Sequence, residues 1–353
     1  MNRFTSIFNI TFKFILFFPA LIPALILVGC STETEPSAAI EENAPIMVYS
    51  SRAEHLIQPL FSAFTEKTGI PINFITDSEA ALIARIEAEG SASPADIFLT
   101  VDAGNLWHAD QLDLLQPVSS EILAANVPSQ YQSPNSTWFG LSLRARTIIY
   151  STERVDTSEL SSYENLASEE WAGRLCLRTS KKVYNQSLVA SMVSRLGEEE
   201  AEKVVRGWVA NLAIDPLSSD DRTIEAVEAN ICDVALVNTY YLGRMQANNP
   251  DMPVSIFWPN QDSSGVHVNV SGAGVAKYAP QPDKAIQLLE WLSGTEAQET
   301  FAGLNFEFPV NPEVDSVQLV ADWGDFQADN IGVDVFGALQ SDAVLLMDRA
   351  EYR

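Results

Sequence analysis

Tyr184, Tyr240 and Tyr241 stand where the chain changes from a strand pattern to a helix pattern. The tyrosine pair follows the apolar run 233–237 and opens a helix carrying Leu242 and Met245. Tyr184 follows the run 175–177 and the polar turn Arg178-Thr179-Ser180-Lys181-Lys182, ahead of Leu188, Met192 and Val193. In open α/β sheets ligands gather outside the carboxyl ends of strands, where helix N-termini offer free N–H groups. A free phenol has a pKa near ~10, so it serves as an anionic ligand only to a cation acidic enough to displace its proton. Ferric iron, a hard trivalent ion, is such a cation. Any one of these tyrosines reads equally as an amphipathic residue packed at a helix start; the recurrence at strand ends of one lobe is what points to a ligand crevice.

The elements that must position them alternate in type. An apolar run at 46–49 leads into a helix with Leu56, Leu60, Phe61 and Phe64 on one face, stopped at Gly69. A strand at 72–75, a helix with Ala81, Leu82 and Ile86, a strand at 96–99 and a short helix near Leu106-Trp107 follow. This β-α-β-α-β order predicts a largely parallel sheet covered by helices. The pattern restarts after 138–141 with a strand at 175–177, helices over 184–196 and 198–210 and a strand at 233–237, and Val268-Asn269-Val270 with the small-residue run 271–275 returns the chain to the first unit, followed by a helix over 284–292. The chain has 353 residues, 46% hydrophobic and 19% charged, without an internal repeat, which suits two α/β domains. The boundaries expected are 46–142 with 270–325 for lobe 1, 143–269 for lobe 2, and a C-terminal helical segment over 326–353. A cleft between the lobes is the natural place for a small ligand.

Charge and motif content narrow the function. Lys and Arg number 21 against 47 Asp and Glu, a net charge of −26, and a field of that sign repels nucleic acid and anionic lipid. HExxH, CxxC, GxSxG and Walker phosphate loops are absent from the sequence. Arg3 and Lys13 precede an apolar run over 14–29 that leads into Cys30 through Leu27-Val28-Gly29, the layout of a signal peptide over 1–29. That ending resembles the bacterial lipobox, after which Cys30 is the lipidated first residue of the mature chain. An ordinary secretory peptide or an N-terminal anchor is the alternative. The acidic, proline-containing stretch 30–45 reads as a flexible tether. With Cys30 lipidated, Cys176 and Cys232 are the two remaining thiols; both flank strands of one lobe in an oxidising location, so a disulfide is expected, with two buried reduced cysteines as the alternative.

Several segments together resemble the periplasmic ferric-ion-binding proteins of ABC transporters: Val48-Tyr49-Ser50-Ser51-Arg52, Ser93-Pro94-Ala95-Asp96-Ile97-Phe98, Gly140-Leu141-Ser142-Leu143-Arg144-Ala145-Arg146, Val183-Tyr184-Asn185-Gln186-Ser187, Asn238-Thr239-Tyr240-Tyr241 and Pro309-Val310-Asn311-Pro312. The resemblance runs from about residue 46 to about 315. It implies a two-lobed periplasmic-binding-protein fold that closes on Fe(III) and hands it to an inner-membrane permease. By the match, Tyr184, Tyr240 and Tyr241 are the phenolate ligands, and no enzyme activity is expected.

Departures from the family pattern matter too. Relatives that supply a histidine or tyrosine after the first strand and a glutamate from the third have here Ser51-Arg52-Ala53-Glu54-His55 and Thr100-Val101-Asp102. This resembles the branch in which a synergistic anion such as carbonate completes the metal sphere. Arg52 and Arg144 match the positions that hold the anion there, a guanidinium fork suiting a planar oxyanion. Ser180 and Lys181 are further candidate donors at a helix start. A surface or interlobe ion pair is the other reading of each arginine, and His55 or Asp102 remains open as a completing ligand. The function expected is a monomeric, lipid-anchored Fe(III) carrier; capture of another small solute, an anion or organic cation, is the main rival, with an exported hydrolase behind it.

Overall fold

Short runs rich in Ile, Val and Phe, buried on both faces, can sit only inside a sheet covered by helices. The computed structural model describes residues 44–353 and places nine strands there. They are β1 (Ile46–Ser50), β2 (Ile72–Thr76), β3 (Ile97–Thr100), β4 (Phe139–Ser151), β5 (Leu175–Cys176), β6 (Val234–Asn238), β7 (Val254–Phe257), β8 (Val268–Val275) and β9 (Phe308–Pro309). Strands β3, β6 and β8 are buried throughout. The signal peptide expected over 1–29, Cys30 and the expected tether up to residue 43 lie outside the described residues.

The strand order is β2-β1-β3-β8-β4-β6-β5, with β7 and β9 also pairing with β4. The parallel pairs expected from β-α-β order are found toward the two ends, where β1 lies between β2 and β3 and where β5 joins β6. The middle differs from the sequence expectation, for β3–β8, β8–β4 and β4–β6 are antiparallel. The reason is topological: the chain leaves one half through β4 and returns through β8, so the two crossing segments must run in opposite directions. Residues 139–145 of β4 pair with β8, whereas 146–151 pair with β6 and β7. One thirteen-residue strand therefore belongs to both halves of a two-lobed molecule. Because side chains alternate across a strand, its residues Arg144 and Arg146 fall on the same face.

Local signals hold the helices in place. Gly69 closes the helix Glu54–Thr68 at φ 76, a left-handed value that glycine takes without cost. Ser78 caps the helix Glu79–Glu89 by accepting from the Ala81 N–H. Near the end of the chain the helices Asp334–Ala338 and Gln340–Arg349 pack on the helix Val183–Leu196. The first of them also packs on Ala103–Gln111, so closely that a Cβ on Gly337 would stand 2.6 Å from that of Trp107. Cys176 and Cys232 are joined by a disulfide, with Cα atoms 5.8 Å apart, inside an apolar cluster with Ile149, Ile224 and Val237. Among the described residues no helix is long and apolar enough to cross a membrane.

Candidate functional site

Each tyrosine occupies the first turn of a helix that follows a strand. Tyr184 is the second residue of Val183–Leu196, and Tyr240 and Tyr241 are the second and third of Thr239–Asn248, directly after the fully buried β6. A buried ionic knot fixes the two turns relative to each other. Asp220 accepts from Arg146 at 3.1 Å and from the Asn238 backbone N–H at 3.0 Å, and Arg178 approaches it at 3.6 Å. Arg146 also donates to the Asn238 side chain and to the Leu236 carbonyl. The strand end before Tyr240 and the turn before Tyr184 thus share one carboxylate.

The three phenols converge as a result. The Tyr240 hydroxyl donates to that of Tyr184 at 3.2 Å, and the rings of Tyr240 and Tyr241 stack with centroids 4.5 Å apart. Arg178 donates to the Tyr241 oxygen at 3.4 Å. Cations surround the rings: Arg144 and Lys182 lie over Tyr184 at 5.1 and 4.8 Å, and Arg244 over Tyr241 at 4.7 Å. Burial pushes the Tyr184 hydroxyl up to about 12, reinforced by the Tyr241 phenol, and burial raises that of Tyr240 well above the ordinary value. Both are therefore protonated at neutral pH until something displaces the proton.

All three phenols line one pocket of about 210 Å³ between the lobes. Across from them the wall carries Arg52, His55, Glu79, Val101, Asn305 and Glu307. Arg52 is buried and committed: both terminal nitrogens donate to Glu307, at 3.1 to 3.4 Å, and its guanidinium lies 4.4 Å over Phe301. Ser142 and Asn305 add two more donors to the same carboxylate. Arg144 is only half committed. Its Nη2 pairs with Asp102 at 3.1 Å, while its buried Nη1 has no hydrogen-bond partner among the described residues. Asp102, wholly buried, also accepts from Ser187, Asn269 and the Gly104 N–H. Burial outweighs the pull of Arg144 and lifts this carboxyl to about 6.

The model of the bacterial extracellular solute-binding protein family matches residues 92–324. The chain belongs to this family. Among its relatives, the Iron uptake protein A1 of Synechocystis sp. is 40% identical over 344 residues, 95% of this chain and 96% of its own. The major ferric iron-binding protein of Neisseria meningitidis serogroup B is 28% identical over 287 residues, 79% of this chain and 84% of its own. Among solved structures, Trichodesmium FutA in complex with iron and citrate ligands superposes with a TM-score of 0.84 at 43% identity, covering 88% of this chain and 100% of that one.

In this solute-binding protein the residues singled out from sequence do not all meet. The three tyrosines, Arg52 and Arg144 line the cleft, and so does His55, which is otherwise exposed. Ser180 and Lys181 do not line it: the Ser180 N–H donates to the Arg353 carbonyl, and the Lys181 side chain is exposed. Asp102 lies behind Arg144 and outside the pocket lining. His108 is exposed elsewhere; His267 is buried edge-on to Phe336, and burial holds its imidazole well below the ordinary value. Sequence reasoning missed Lys182, Arg244, Glu79 and Glu307. Arg244 was within reach of spacing alone, standing three and four residues after Tyr241 and Tyr240 on one helix face. Glu307 and Glu79 come from distant segments, and no local signal brings them to the cleft.

Proposed function

We propose that this chain is the ferric-iron-binding component of an ABC importer, tethered outside the cytoplasmic membrane through a lipid on Cys30, and that Tyr184, Tyr240 and Tyr241 are the phenolate ligands. The observation that carries the reading is the convergence of three phenol oxygens in one cleft ringed by cations. A hard trivalent ion prefers anionic oxygen, and displacing phenol protons from such a site demands a strongly Lewis-acidic cargo. The relatives named for iron lend support to the same cargo. The family and these relatives are binding proteins of transport, which ends the hydrolase alternative.

Arg144 is the residue suited to hold a synergistic anion such as carbonate. It offers a free guanidinium nitrogen beside Tyr184, whereas both terminal nitrogens of Arg52 are occupied by Glu307. Lys182, which pairs with no carboxylate among the described residues, adds positive charge at the same edge. Handover to a permease follows from the transport role, with the carrier acting as a monomer.

The test is a titration of metal-free protein with ferric nitrilotriacetate, read as a visible phenolate-to-iron charge-transfer band. The band is expected in the natural protein and is expected to shift and weaken in Tyr184→Phe, Tyr240→Phe and Tyr241→Phe. A natural protein that takes up ferric iron without the band, or unchanged affinity in all three variants, refutes the ligand set.

A further inference from the structure

The phenols all come from one wall of the cleft, and a metal clasped between two lobes gains most from a donor on the other. Of the candidates across the cleft, Arg52 is a cation, Val101 is apolar, and Glu307 is saturated by Arg52, Ser142 and Asn305. His55 offers a neutral nitrogen, which a hard trivalent ion takes less readily than an anionic oxygen. Glu79 is different. It is the first residue of the helix Glu79–Glu89, half-buried, and it lines the pocket with the tyrosines. The capping work at that helix end is done by Ser78, so the Glu79 carboxylate is not needed there. It makes no hydrogen bond or ion pair with another described residue. Its charge nevertheless reaches inward far enough to push up the buried Asp102 carboxyl.

We propose that Glu79 is the lobe-1 ligand of the bound cation, a carboxylate that meets the phenolate-held metal as the cleft closes. This rests on the ferric reading above. Three phenolates and one carboxylate present four negative charges to a trivalent ion, and the single surplus charge faces Lys182 and Arg244. Such a site binds iron without carbonate, whereas a three-tyrosine site needs the anion to complete the sphere.

The experiment uses the full-length protein and its Glu79→Gln and Tyr240→Phe variants, titrated with ferric nitrilotriacetate in carbonate-free and bicarbonate-containing buffer, with thermal unfolding confirming that each is folded. Glu79→Gln is expected to lose at least about tenfold in affinity without carbonate, to recover part of it with bicarbonate, and to show a displaced charge-transfer maximum. Identical affinity and band in Glu79→Gln and the natural protein overturn the assignment. So does an affinity loss with an unmoved band in both buffers, which would mean that Glu79 acts only by offsetting Lys182 and Arg244. The Tyr240→Phe arm separates the two readings: if it changes the band and Glu79→Gln does not, only the role of Glu79 falls, and if neither variant changes anything, the phenolate site falls with it.

Discussion

Replacing Cys176 and Cys232 together by alanine should loosen the phenol-bearing half of the cleft by an amount that follows from the position of the bridge in the chain. The disulfide closes a loop with a sequence separation of 56. On the chain-entropy model that closure is worth roughly 4 kcal/mol at room temperature. Both sulfurs are buried in an apolar cluster, so alanines leave small cavities that add to the loss. The unfolding temperature should fall by about 2–4 °C for each kcal/mol lost in a unit of this size. Urea unfolding followed by intrinsic fluorescence reads the change, because Trp171 and Trp208 are fully buried in the same lobe. The natural protein under reducing conditions should lose the loop-closure part of this stability but not the cavity part, because both sulfurs stay in place. The bridge also joins the strand before Tyr184 to the segment leading into β6, so ferric affinity should drop in parallel as the half-site loses its fixed spacing. A double variant within about 1 kcal/mol of the natural protein, with two free thiols counted in natural protein taken from the periplasm, would refute this reasoning.

Acidification should release iron. Burial raises the Tyr184 and Tyr240 hydroxyls above their ordinary value, so each gives up a proton to bind metal, and affinity should fall by about tenfold per released proton for each pH unit lowered; a pH-independent ferric affinity between neutral and mildly acid buffer contradicts it. Arg144→Lys should weaken ferric binding mainly when bicarbonate is present, while Arg52→Lys should lower thermal stability instead, since it breaks a buried pair with Glu307; titrations in both buffers beside melting curves tell the two apart. Gly243→Ala should disturb the helix that carries Tyr240 and Tyr241, because the added Cβ would stand 2.7 Å from that of Phe306, and an unchanged charge-transfer band and melting temperature would show that the helix can shift freely. Cys30→Ser should abolish acyl labelling and release soluble protein, and a mature N-terminus found elsewhere by mass spectrometry contradicts the lipobox.

The tyrosines were readable from sequence because each is tied to a local event, an apolar strand ending and an amphipathic helix beginning within a few residues. The β-α-β edges were readable for the same reason. The antiparallel centre was not, since the direction of β4 and β8 depends on where the chain crosses between lobes and not on any local periodicity. The two arginines of the cleft show the limit more sharply. Arg52 and Arg144 look equivalent as isolated basic residues, yet their partners, Glu307 and Asp102, lie 255 and 42 residues away and leave one guanidinium full and the other half free. Ser180 and Lys181 against Lys182 is a matter of helical phase: only the residue at the cap position turns its amine over Tyr184.

All three phenols are carried by a single disulfide-stapled lobe, and this separates opening from unloading. Swinging the lobes apart would strip away the far wall, with Arg52, Glu79 and Glu307, but it would leave the three oxygens as close together as before. Docking on a permease therefore exposes the cargo without discharging it. With the proposed phenolate ligands, discharge has to weaken the metal–oxygen bonds themselves, by delivering protons to the phenolates, by adding an electron that makes the metal softer and less charged, or by presenting a competing set of oxygens at the channel mouth. Capture has the mirror-image order: the open molecule can seize the ion on one face first, and closure then sets the residence time.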